Sequence, residues 1–247
     1  MAETEPSTLQ IGASRPPTAN GAPPTPVPVP ASAPPPFQLD VKRLHDLPSE
    51  QQSLYLLTFI SDLVRHVDSL DSAGAAAEQA PTKKELLQIV NLSSPAPTRV
   101  IRNNLGRCFA GIFSKESRKL LYESINDLVA IIQAGKEKDL VAKHAAVVCL
   151  GAVFEAAGDS AMSLSPLACT ALLKALKAAS SDTGYRSAIY KTFGRITVGI
   201  ATAIDEDIGR SVWKQARNAA GGDKSLLVQA KACWCLEQLV RCTPYFR

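Results

Sequence analysis

The chain has 247 residues, with 27 Lys and Arg against 23 Asp and Glu and a formal charge of +4. That is too mild to argue by itself for a nucleic-acid or membrane-surface partner. Apolar residues make up 46%, enough to build a core, while glycine is sparse at 14 and aromatics at 6%, which disfavours an all-β sandwich.

The chain divides by composition. Eleven of its 17 prolines lie between Pro6 and Pro36. Residues 1–37 therefore read as a disordered, proline-rich leader of polyproline II character, and residues 38–247 as a helical repeat domain. The first residues carry neither a basic segment nor an apolar one, so no signal peptide is expected. The longest apolar run, Ala145 to Phe154, has ten residues and is too short to span a bilayer. Six cysteines without disulfide-type spacing read as reduced core thiols of a cytoplasmic protein.

Helix signals follow in close succession. Ser49 and Gln52 form an S-x-x-Q capping box before the stripe Leu54, Leu57, Ile60, Val64. The small residues 71–80 read as a loop, after which Thr82 and Glu85 supply a second box. Pro95 and Pro97 interrupt the chain, and a helix is expected from Thr98 to Phe113. Ser114 reads as the cap of an amphipathic helix carrying Leu121, Ile125, Leu128 and Ile132, ended by Gly135. From Asp139 to Ala157 apolar residues run nearly all round, as in a helix with neighbours on both sides. Gly158 stops it. Ser165 and Pro166 open the next helix, Asp182 another to about Ala203, and Asp205 one to Ala220. Ser225 to about Cys242 is the last. The expectation is nine helices and no strand.

Four of these helices share a pattern, an early basic residue followed by small or apolar residues and a Leu/Phe–Gly-like step. The early basic residues are Arg99, Lys143, Arg186 and Lys231. The anchors Leu105, Leu150, Phe193 and Leu236 are 45, 43 and 43 residues apart. That spacing lies within the roughly 40–47 residue period of HEAT and armadillo units, and each interval holds one further helix. The expected fold is all-α, an α-solenoid of HEAT/armadillo-type hairpins in which Gly106, Gly151 and Gly194 let neighbouring helices approach.

Catalytic chemistry is not indicated. There is no G-x-S-x-G elbow and no phosphate-binding loop, and His144 and Cys149 diverge on a helix. Cys233 and Cys235 point in different directions, so both read as core residues rather than metal ligands. Asp205, Glu206 and Asp207 suit a helix N-terminus. The pairs Lys83–Lys84 and Arg118–Lys119 read as solvated, and Trp213 and Trp234 as core or groove fillers. The protein is expected to be no enzyme. No catalytic, cofactor-binding or metal-ligating residue is assigned, and the partner-contact residues stay unknown.

At Leu92-Ser93-Ser94-Pro95-Ala96-Pro97-Thr98-Arg99 and at Lys143-His144-Ala145-Ala146-Val147-Val148-Cys149-Leu150-Gly151, the sequence resembles the N-terminal region of the HEAT-repeat-containing protein 5 family. These are large accessory proteins of the clathrin adaptor complex of the trans-Golgi network. The resemblance spans about residues 48–247. It implies a cytosolic scaffold in sorting and retrograde transport between endosomes and the Golgi. Membrane association would be peripheral, through partners, and nucleic acid would play no part. Family members are several times longer, so the chain reads as an N-terminal part of a longer solenoid. The alternative is a generic HEAT-type binding module, of the phosphatase-scaffold or nuclear-transport kind. An acidic or basic ladder along the inner helices would favour that reading, and none is clear in the sequence. A third possibility gives the binding role to the proline-rich leader.

Overall fold

The computed structural model describes residues 37–115, 117–135, 140–179, 181–201 and 204–246, and the predicted leader up to residue 36 lies outside them. The described residues form ten α-helices and no strand. The helices are α1 (Val41–Asp46), α2 (Ser49–Ser69), α3 (Ser72–Val90), α4 (Arg99–Phe113), α5 (Arg118–Gln133), α6 (Leu140–Ala157), α7 (Ser165–Ala178), α8 (Thr183–Ile200), α9 (Glu206–Gly222) and α10 (Leu226–Cys242). One 3-10 turn joins α6 to α7 and another follows α10.

Packing follows the alternation of the chain. Helices α2, α4, α6, α8 and α10 lie side by side in that order, while α3, α5, α7 and α9 pack beside one another and against the first row. Leu105, Leu150 and Phe193 are buried on α4, α6 and α8, so the sequence period falls on successive helices of one row. The apolar stripes of both rows merge into one core running from Leu39 to Leu239.

Helix α6 lies at the centre of that core. It packs on α4 and α8 within its row and on α5 across the rows, which is why apolar residues surround it. The segment 140–178 holds an 18-residue window of mean hydropathy 1.6, long and apolar enough for a membrane span. Here it is interrupted by the turn at Gly158–Leu164 and lies largely buried among other helices. Close approach within the row depends on small residues. A Cβ at Gly194 would stand 2.3 Å from the Trp234 ring on α10, and one at Gly151 would stand 2.9 Å from Thr192 Oγ1 on α8. That hydroxyl donates to the Val147 carbonyl of α6 at 2.9 Å, fastening the two helices.

Several local expectations are corrected. Residues 72–80, read as a loop, are helix: Asp71 caps α3 by accepting the Gly74 N–H at 2.7 Å, and the alanines that follow are the strongest helix formers. The helix runs on through Pro81. Pro81 costs about 3 kcal/mol in a helix interior, offset by burial of Gln79, Leu86 and Ile89, with the Gln79 amide donating to the Ile112 carbonyl. Thr82 and Glu85 are therefore not a capping box, and the buried Glu85 carboxylate instead accepts the Leu39 N–H at 3.0 Å.

Ser49 and Gln52 do not form a box either, because α2 begins one residue early and Gln52 donates to the Leu47 carbonyl. Ser117, not Ser114, caps α5, and Ser165 is already helical. Helix α1, absent from the sequence reading, is a single short segment capped by Asp40. Phe37, the last residue assigned to the leader, already packs on Phe59 and His66. Lys83 is no solvated lysine: it lies 2.8 Å from Asp127 and 3.2 Å from Glu123 on α5, its side chain mostly buried.

Candidate functional site

The first row of helices leaves one face on which four of its members line a common groove of about 210 Å³. Each helix contributes side chains one or two turns apart, the spacing that places residues on one face. Helix α4 gives Arg99, Arg102 and Asn103, and α6 gives His144 and Val148. Helix α8 gives Ser187, Lys191 and Arg195 from three successive turns, and α10 gives Leu227 and Lys231. Helices three steps apart in the row thus share one groove.

The groove is cationic. Among the described residues Arg99, Lys191 and Lys231 have no ion-pair partner, and Arg102 spends one N–H on the Pro97 carbonyl at 2.6 Å. Arg195 is matched by Glu155 of α6 at 2.5 Å. Asp182 supplies negative charge nearby, but its carboxylate already caps α8 by accepting the Tyr185 N–H at 2.6 Å. Partial burial lowers the pKa of Lys191, and repulsion from Arg195, Lys231 and Arg99 adds to the effect, against the weaker attraction of Glu155. Burial, then Arg99, acts the same way on Arg102, against the attraction of Asp182. A guanidinium stays charged through such a shift. Burial and then Arg102 hold His144 down to about 4, so its imidazole is neutral at pH 7 and rests near the Tyr185 ring at 5.9 Å.

The four early basic residues of the repeat are divided among three places. Arg99 and Lys231 line the groove, and Lys143 borders a separate depression beside α7. Arg186 turns to Asp223, with Nη1 2.5 Å and Nη2 3.2 Å from its two oxygens. The basic ladder that sequence reading did not find is therefore present in three dimensions. Its members Arg102, Lys191 and Arg195 lie outside the early-basic position, and only the last two stand at a turn-by-turn spacing, on α8.

The thiols behave differently from one another. Cys108, Cys149, Cys169 and Cys235 are buried, and burial pushes Cys108 and Cys169 up to about 12 and the other two higher still. Such thiols are poor nucleophiles. Cys233 is exposed, against its reading as a core residue, because a step of two residues along α10 carries it to the opposite side from Cys235. Among the described residues no three His, Cys, Asp or Glu side chains gather as a metal site would require. Asp205 caps α9 as its position suggested, accepting the Ile208 N–H at 3.1 Å. Trp213 stacks on Phe246 with centroids 4.7 Å apart.

Residues 92–99 lead into α4 and end on Arg99, while residues 143–151 lie on α6 and include His144 and Val148, all three lining the groove. No protein-family model matches the chain. An engineered protein of known crystal structure is similar over 82% of this chain and 80% of its own, with 17% sequence identity and a TM-score of 0.46.

Proposed function

We propose that this protein is a non-enzymatic α-solenoid scaffold in clathrin-adaptor-dependent trafficking, supporting sorting and retrograde transport between endosomes and the trans-Golgi network. The observation that carries the scaffold reading is the row α2, α4, α6, α8 and α10, whose members pack side by side and recur along the chain, four of them lining a common groove. Stacked helical pairs of this kind bury a shared core and offer an extended surface to partners. The trafficking setting rests on the resemblance at residues 92–99 and 143–151. In this reading the proline-rich leader is a disordered tail, and the protein works in the cytoplasm, peripherally at Golgi, endosomes or clathrin-coated vesicles.

A second reading, a general helical-repeat binding module outside the adaptor pathway, is favoured by the cationic groove on the inner helices. Affinity capture of the endogenous protein with mass spectrometry separates the two. Recovery of adaptor subunits, together with loss of adaptor from Golgi and endosomal membranes when the protein is removed, supports the trafficking scaffold. Capture without adaptor subunits, and normal adaptor distribution after clean deletion, leaves the general module.

A further inference from the structure

We propose that the groove between α4, α6, α8 and α10 holds an acidic polypeptide segment in extended form, its carboxylates shared among Arg99, Arg102, Lys191 and Lys231. The proposal rests on the reading of the helix row as a binding scaffold and is independent of the trafficking setting.

Charge is the first argument. Half-buried cations are ordinarily matched by carboxylates, because a charge taken partly out of water is costly alone. Here Arg102 and Lys191 are half-buried and have no ion-pair partner among the described residues, the pull of Asp182 on Arg102 and of Glu155 on Lys191 being outweighed by burial and neighbouring cations, while Arg195 beside them is bonded to Glu155. The free protein therefore carries like-charge repulsion at this place, which an arriving carboxylate relieves.

Size is the second. The groove is smaller than the ~300–1,000 Å³ of pockets that enclose a small ligand, so it admits one or two side chains while the rest of the occupant runs over the face. Packed helices stand ~8–10 Å apart axis to axis, and the groove takes in side chains of four successive helices. Cations distributed over four helices offer more contacts than one carboxylate uses, and an extended chain, rising ~3.3 Å per residue, meets them one after another.

The lining decides among macromolecules. No Phe, Tyr or Trp lines the groove, so it lacks the aromatic platform on which bases stack. A bilayer is flat, whereas Arg102, His144 and Lys191 sit part-buried in a groove. Val148 and the half-exposed Leu227 provide apolar contact beside the cations, which suits a peptide that mixes Asp or Glu with an aliphatic residue.

The test uses the full chain and a fluorescent peptide of alternating Glu and Leu, with a Gln-for-Glu version as control, read by anisotropy at low and physiological ionic strength. Further probes are phosphatidylserine vesicles and single-stranded RNA. The expected result is saturable binding of the acidic peptide that weakens with salt, and no binding of the Gln version. Reversing Lys191→Glu together with Lys231→Glu should weaken it about tenfold or more, while Lys177→Glu with Lys214→Glu, an equal charge change on the exposed faces of α7 and α9, should leave it within about twofold. Lys191→Met serves where the double reversal does not fold. It removes a repelled, half-buried charge and should weaken binding while melting no lower than the parent. Equal loss in the groove and control variants, or no saturable peptide binding, overturns the proposal. Binding of vesicles or RNA through Lys191 and Lys231 in place of the peptide also overturns it. Adaptor mislocalisation in cells is read separately, so failure of the peptide assay and failure of the trafficking reading are told apart.

Discussion

Gly194 is buried where α8 meets α10, and a methyl group there would enter the Trp234 ring at 2.3 Å. Gly194→Ala should cost about 1–3 kcal/mol through overpacking, visible as a lower melting temperature. Gly221, near the end of α9, has nothing within 4 Å of an added Cβ, and Gly221→Ala should gain about 0.5–1 kcal/mol from reduced backbone freedom in the unfolded chain. Opposite shifts in the two variants check the packing directly. Sequence reading found the role of Gly194 from its place in the repeat, but it could not name Trp234 as the partner, since that contact joins positions 40 residues apart.

His144 makes a pH prediction at the same scale. Its folded pKa lies near 4, below the ordinary 6.5, because of burial and then Arg102. Between those values the unfolded chain takes up a proton that the folded protein refuses, so stability falls as the pH drops through this window. The loss should be on the order of 2 kcal/mol, after allowance for solvent at the exposed edge of the ring. Melting of His144→Asn should fall less steeply from pH 6.5 to 4 than melting of the parent. Parallel curves would contradict the assignment.

At the scale of elements, the turn between α9 and α10 is held by Asp223. Its carboxylate accepts from the two terminal guanidinium nitrogens of Arg186 and from the Ser225 N–H, and its carbonyl accepts the Gln229 amide. Asp223→Ala strands Arg186, whose Nε already has no hydrogen-bond partner, and should cost about 2–4 kcal/mol by urea denaturation. Joint replacement Arg186→Met with Asp223→Leu should recover most of that loss, because a buried pair replaced by apolar residues is often neutral. Helix α3 shows why local reading misassigned an element. Its run of small residues resembles a loop in composition, and Pro81 resembles a boundary. The helix persists because Gln79, Glu85 and Leu86 find partners on other segments, which no local pattern records. Lys83 is misread for the same reason, its carboxylates lying on α5.

For the whole molecule, continuity of the core governs cooperativity. Both tryptophans, Trp213 and Trp234, lie on α9 and α10, whereas circular dichroism reports every helix. Because one apolar core links the rows, the two signals should unfold together. Leu150→Asp, at a fully buried position of α6, would bury an unpaired charge at a cost of about 4 kcal/mol or more. It should lower the tryptophan transition as well as the helical one. A tryptophan transition left unchanged would mean that the C-terminal helices unfold on their own, as weakly coupled repeats do.

The sequence by itself determined the helical class, most helix positions and the interval at which the first-row helices recur. These depend on apolar periodicity, on prolines 95 and 97 and on caps such as Asp182 and Asp205, all local along the chain. Tertiary structure decided which charges are matched across helices. Arg186 and Lys83 found carboxylates on other helices, while Arg99, Arg102, Lys191 and Lys231 came together around one groove. Helical spacing predicts the side of a helix on which a residue stands, but the charge that faces it comes from segments some 40 residues away, brought near only by burial of the shared core.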